Sequence, residues 1–135
     1  MSQQSVEIVK SSCEAWASGD LDAWLAMLHP QVVWDTTRFE GWEEGTLYRG
    51  RDEVRSFLVD EWLASWESYE ARVEEVADAG DSVLVLWCQR MVEAEGGAPI
   101  AVESAQICRV RDGKVIRIDN YIDRTEALAA AGLEK

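Results

Sequence analysis

Up to about Trp66 the apolar residues of this chain recur mainly at helical spacing, and from Tyr69 to Ile122 they alternate as they do in strands. That order restricts the fold more than any other feature, because a helix stripe and a strand face must be buried against each other. Val6, Val9, Cys13 and Trp16 mark one amphipathic helix ending at Gly19. Asp20 caps a second, with Leu21, Trp24, Leu25 and Leu28 as its stripe, and His29-Pro30 stops it, since the residue before proline avoids helical geometry. Residues 32–36 read as a strand and 38–49 as a loop carrying Gly41, Trp42 and Gly45. A third helix is predicted over 51–66, with Val54, Leu58, Trp62 and Trp66 at intervals of four. Strands follow over 69–77, 82–93, 100–111 and 114–122, separated by Gly80-Asp81, by a turn over 95–99 and by Asp112-Gly113, a hairpin signal. Asp123 and Glu126 open a short final helix ending near Gly132. The expectation is one α+β domain over 1–135, a curved antiparallel sheet wrapped against the N-terminal helices. A parallel doubly wound fold is disfavoured, and the glycines fit neither dinucleotide nor phosphate-loop spacing, so no cofactor is implied.

Seven tryptophans, at positions 16, 24, 34, 42, 62, 66 and 87, fall in or beside these elements. Leu, Ile and Val suffice to fill a core of this size, so wide amphipathic rings in such number suggest the walls of a roomy apolar cavity for a small molecule. Ordinary core packing is the alternative for any one of them. With 135 residues and 47% hydrophobic content, the chain makes one core. Thirteen basic against 26 acidic residues give a net charge of −13, which repels phosphate backbones and anionic lipid, so neither nucleic acid nor membrane is an expected partner. The N-terminus has no basic region followed by an apolar run, and no stretch is long enough to span a bilayer, so a cytoplasmic protein is expected. Cys13, Cys88 and Cys108 are odd in number and far apart, which suggests buried thiols and no disulfide or zinc site. With His29 the single histidine, no metal is expected.

Strand alternation sorts the polar groups. Val102, Ser104, Gln106, Cys108 and Val110 face inward, as do Ile116, Ile118, Asn120 and Ile122, while Glu103, Arg109, Arg111, Arg117 and Asp119 face out. On the 82–93 strand, apolar on both faces, Val83, Val85, Trp87, Gln89 and Met91 form the preferred inner set. Its other parity, Leu84, Leu86, Cys88 and Val92, needs a cover, which suggests a homodimer. Gln89, Ser104, Gln106 and Asn120 are then uncharged hydrogen-bonding groups in an apolar setting. They either orient a ligand or bond one another or an ordered water. Trp34, Thr36, Trp62, Trp66 and Trp87 complete the expected ligand-binding set, and Asp35, at the rim, is the candidate catalytic base.

Gly19-Asp20-Leu21-Asp22, Trp34-Asp35, Tyr48-Arg49-Gly50 and the ending from Asp112-Gly113-Lys114 through Tyr121-Ile122-Asp123-Arg124 resemble the SnoaL-like branch of the nuclear transport factor 2-like superfamily over nearly the whole chain. The resemblance implies a cone-shaped bent sheet closed by helices around one pocket. It also implies a choice of activities, since that superfamily includes ketosteroid isomerases, polyketide cyclases, epoxide hydrolases, dehydratases and noncatalytic binders. Carried over by position, the isomerase general base would fall at Thr36, its oxyanion tyrosine near Ser12 and its protonated aspartate near Gln106; the hydrolase triad would fall near Trp87, Gln89 and Asn120. None of these side chains matches. The favoured expectation is therefore binding of a small hydrophobic cyclic metabolite, with a SnoaL-like isomerase, cyclase or dehydratase using Asp35 as the alternative.

Overall fold

The N-terminal stripe does what its spacing predicts: Val9 and Cys13 of α1 (Ser2–Ala17) are buried, and Gly19 leaves the helix at φ +84°. The computed structural model describes residues 2–36, 47–93 and 96–133. Asp20 caps α2 (Leu21–Ala26), its carboxylate accepting the Ala23 N–H at 3.0 Å. The predicted end of this helix at His29-Pro30 is two to three residues late, because β1 (Leu28–Asp35) already contains both residues. The carbonyls near the helix end are taken by distant partners: Lys114 Nζ donates to Ala26, the Val115 N–H to Met27 and Arg51 Nε to Leu28, at 2.7–3.0 Å. His29 Nδ1 accepts the Gln31 N–H, a local backbone role.

Within the span read as a loop, Leu47–Arg49 form β2, paired antiparallel with β1; the remainder, with Gly41, Trp42 and Gly45, lies outside the described residues. The single long helix expected over 51–66 is three pieces: α3 (Gly50–Ser56), a π-helical segment Phe57–Trp62 and a 3₁₀ turn Leu63–Ser65. The wider π turn breaks the interval of four, and Trp66 opens β3 (Trp66–Asp78) instead of closing a helix. The remaining elements are β4 (Val83–Glu93), β5 (Pro99–Arg111), β6 (Lys114–Tyr121) and α4 (Arg124–Ala130), which Asp123 caps.

The strands form one curved, unclosed sheet in the order β2-β1-β6-β5-β4-β3. All pairs are antiparallel except β1 with β6, a correction to the wholly antiparallel expectation. These two strands are joined by most of the chain, so no hairpin dictates their direction. Bulges bend the long strands: the register places Glu67, Glu74 and Ile116 without a partner across the neighbouring strand. The last bulge turns Val115 into the core, and Ile122, expected to face inward, is exposed just beyond the strand.

One core fills the space between the helices and the inner face. A second, of Leu84, Ala105, Ile107 and Tyr121, lies on the outer face beneath Ala127 and Leu128 of α4. Part of the apolar outer face that suggested a dimer is therefore covered within the chain. No helix among the described residues is long and apolar enough to cross a membrane.

Candidate functional site

The inner face of the sheet and the helices enclose a cavity of about 40 Å³, counted as the space a water molecule's centre can occupy. At about 10–15 Å³ per water by that measure, it holds two to four waters as it stands, which corrects the expectation of a roomy space. Five of the six described tryptophans line it: Trp16, Trp24, Trp34, Trp62 and Trp87. Trp24 and Trp34 meet edge to face at 5.7 Å, Trp16 lies 5.0 Å from Trp24, and Tyr69 continues the row 6.0 Å from Trp16 and 6.2 Å from Trp62. Such tilted and edge-on contacts suit the ring quadrupoles and hold the wall together.

Strand parity positions most of the polar groups. Gln89 of β4, Ser104 and Gln106 of β5, Asn120 of β6 and Thr36 after β1 all line the cavity, with Trp34 and Trp87. Trp66 does not line it. Its ring stands 5.6 Å from that of Trp62.

The amides are engaged with one another in two chains. In the first, Trp16 Nε1 donates to the Tyr69 hydroxyl at 3.1 Å, Tyr69 donates to Gln89 Oε1 at 2.5 Å, and Gln89 Nε2 donates to Ser104 Oγ at 2.8 Å. In the second, Trp87 Nε1 donates to Gln106 Oε1 at 2.9 Å, Gln106 Nε2 to Asn120 Oδ1 at 2.8 Å, and Asn120 Nδ2 to the Asp35 carbonyl at 3.1 Å. The alternation that brings these groups inward also sets them opposite each other, as Gln106 pairs with Asn120 and Trp87 with Ser104 across the ladders. Among the described residues, Trp34 Nε1 is the cavity-lining indole nitrogen that is buried without a hydrogen-bond partner.

Asp35 is neither at the cavity rim nor in solvent. Trp34 and Thr36 point inward, so Asp35 points to the outer face, where its carboxylate accepts Arg117 Nη2 at 2.9 Å; Arg117 Nε binds Asp119 at 3.0 Å. The candidate base is thus buried on the wrong side of the sheet. The described lining residues include no carboxylate, histidine, lysine or arginine. Burial pushes the Cys13 thiol up to about 12 and Cys108 well above the usual thiol value, and Tyr69 is raised chiefly by burial as well. These lining groups are neutral at pH 7.

The expected ligand-binding set omits the lining residues Ser12, Cys13, Trp16, Trp24, Phe57, Leu58 and Tyr69, although Trp16 and Trp24 are among the tryptophans that suggest a cavity wall. The signal for three of them is present: Ser12 and Trp16 stand four apart on one helix, and Tyr69 shares the parity of Ala71 and Val73. Outside the cavity, the bulge at Glu74 brings its carboxylate to the Cys88 thiol and to Arg124 Nη1 at 3.2 Å, and these two partners hold the carboxyl below its usual value. Arg124 also donates to the carbonyls of Trp87 and Ser104, tying α4 to the strands behind the cavity.

The sequence profile of the SnoaL-like domain matches residues 9–118. No curated protein matches the chain in sequence. Among solved structures, a proposed polyketide cyclase from Xanthomonas campestris pv. campestris is 26% identical, with 96% of this chain and 97% of that one covered at a TM-score of 0.68. Rv0760c from Mycobacterium tuberculosis, in complex with estradiol-17β-hemisuccinate, is 18% identical over 89% and 94% at 0.71. TerC co-crystallised with polyporic acid is 19% identical over 96% and 98% at 0.76.

Proposed function

The chain belongs to the SnoaL-like domain family, and from that premise we propose that it binds a neutral, apolar, ring-containing metabolite in the tryptophan-lined cavity without transforming it. One observation carries this reading: the described lining residues offer apolar rings and mutually paired amides, and no group that is charged at neutral pH. Isomerisation by enolisation needs a base within reach of a substrate carbon, and Asp35 is held by Arg117 on the opposite face. The polyporic acid and estradiol-17β-hemisuccinate in the structures of TerC and Rv0760c support a ring-containing ligand, though each carries an acid group. Trp34 Nε1 is the donor we assign to an acceptor on the ligand, because a buried N–H without a partner gains the most from one.

A titration with uncharged aromatic alcohols should quench tryptophan emission and raise the melting temperature. The affinity should stay flat from about pH 6 to about pH 9, since the raised thiols and tyrosine do not ionise there. Trp34→Phe should weaken binding by about fivefold, the worth of one neutral hydrogen bond. No response to any such alcohol, or a midpoint in affinity near neutral pH, would count against the assignment.

We also propose self-association through what α4 leaves of the outer face, where Leu86, Cys88 and Val92 of β4 are half-buried. Val92→Glu should then shift sedimentation from dimer to monomer at micromolar concentration. A wild-type monomer under those conditions would remove the proposal.

A further inference from the structure

Beside the cavity lies an outer pocket of about 200 Å³, counted in the same way. Two of its walls, Trp16 and Tyr69, are also walls of the inner cavity. Trp16 and Tyr69, which border both spaces, are joined by a hydrogen bond from Trp16 Nε1 to the Tyr69 hydroxyl at 3.1 Å. The outer walls are Ala17, Gly19, Leu21, Leu63 and Ala71, none of them polar. Small residues account for the open volume: Gly19 has nothing within 4 Å of where a Cβ would stand, and Ala17 and Ala71 stop at a methyl group. Leu63 follows directly on the π-helical segment that carries Trp62 to the inner cavity, so one irregular helix borders both spaces.

We infer that the two spaces are compartments of one ligand site, the inner taking a ring and the outer an unbranched apolar tail attached to it. This rests on the ligand-binding reading above and adds the ligand class, an alkyl-substituted ring. The sizes argue for it. The inner space holds only a few waters as it stands, so a ring needs wall side chains to move, and Trp16 and Tyr69 are the two walls whose movement would join it to the larger pocket. None of the described residues of the outer walls is charged, so they favour an apolar tail. Ala17 and Ala71 then set the length of tail that fits.

The test is a fluorescence titration of the full chain with para-ethylphenol, para-butylphenol and para-octylphenol. Affinity for the wild type should rise about three- to fourfold per added methylene over the first several, the increment expected for burying each one. Ala71→Leu should flatten that series while leaving para-ethylphenol affinity within about twofold. Ala17→Leu, at the exposed end of α1, gives the same readout on a surface position where folding is not at risk. If the wild type binds para-ethylphenol but gains nothing with chain length, or if both variants keep the full gain, the outer compartment is overturned and the inner ligand site stands. If no phenol of any length changes fluorescence or melting temperature, both fail together.

Discussion

Asn120→Leu should lower the melting temperature by roughly 6–20 °C. The substitution removes the donor to the Asp35 carbonyl and the acceptor for Gln106 Nε2, and both bonds lie on the inner side of the sheet where water is scarce. Two groups left without partners cost on the order of 2–5 kcal/mol together, and each kcal/mol is worth about 3–4 °C in a domain of this length. Read from sequence, Asn120 stands among isoleucines, and on that view an apolar replacement would leave stability unchanged or raise it. Its two hydrogen bonds reverse that expectation. The bond to the Asp35 carbonyl ties the end of β1 to β6 in a parallel pairing that no turn supports, and the bond from Gln106 ties β6 to β5. Thermal and denaturant unfolding of the variant decide the matter: a melting temperature within about 2 °C of wild type would mean that the Asp35 carbonyl finds water instead, and that Asn120 is free to serve a ligand.

Alkaline pH should destabilise the protein through its buried thiols. Burial raises Cys13 to about 12 and Cys108 well above the usual thiol range, with the neighbouring Cys13 and Asp119 adding to the latter. Above about pH 9 the unfolded chain releases these protons and the folded chain retains them, so the folded state binds more protons and stability falls as pH rises. The stabilising contribution is complete below the unfolded thiol pKa and is lost as pH rises toward the folded value, by about 1.4 kcal/mol per pH unit for each thiol. Between about pH 9 and about pH 12 the Cys13 thiol alone removes about 4 kcal/mol, a large share of a total of about 5–15 kcal/mol, and Cys108 acts in the same direction. Denaturant midpoints measured at about pH 7, 9, 10 and 11 should show no slope at first and then a steep one. Cys13→Ala and Cys108→Ala, whatever they cost at neutral pH, should each flatten the alkaline slope by one thiol's share. Equal slopes in wild type and variants would place the alkaline sensitivity elsewhere.

About half of the candidate site is legible in the residue order. Gln89, Ser104, Gln106 and Asn120 reach the cavity by parity alone, because successive strand residues point to opposite faces whatever the neighbours are. Trp62 and Trp66 divide differently, one in the cavity wall and one outside it, because a π turn changes the residues per turn in the middle of an otherwise regular stripe. Nothing in the spacing of Val54, Leu58, Trp62 and Trp66 announces that turn. Asp35 escapes sequence reading for a simpler reason. Parity turns it away from Trp34 and Thr36, while its position next to both makes the rim plausible, and the partner that holds it outward, Arg117, stands 82 residues along the chain.

Residue order by itself determined the succession of helices and strands, the caps at Asp20 and Asp123, the hairpin at Asp112-Gly113 and the inward faces of β4 and β5. Each depends on a period or a turn preference that a few neighbouring residues express without help. Tertiary structure decided where α2 ends, that β1 lies parallel to β6, that α4 covers part of the outer face, and that the cavity amides bond one another. Those outcomes depend on groups tens of residues apart, whose pairing is selected by the burial and hydrogen bonds of the assembled sheet and has no local signature in the chain.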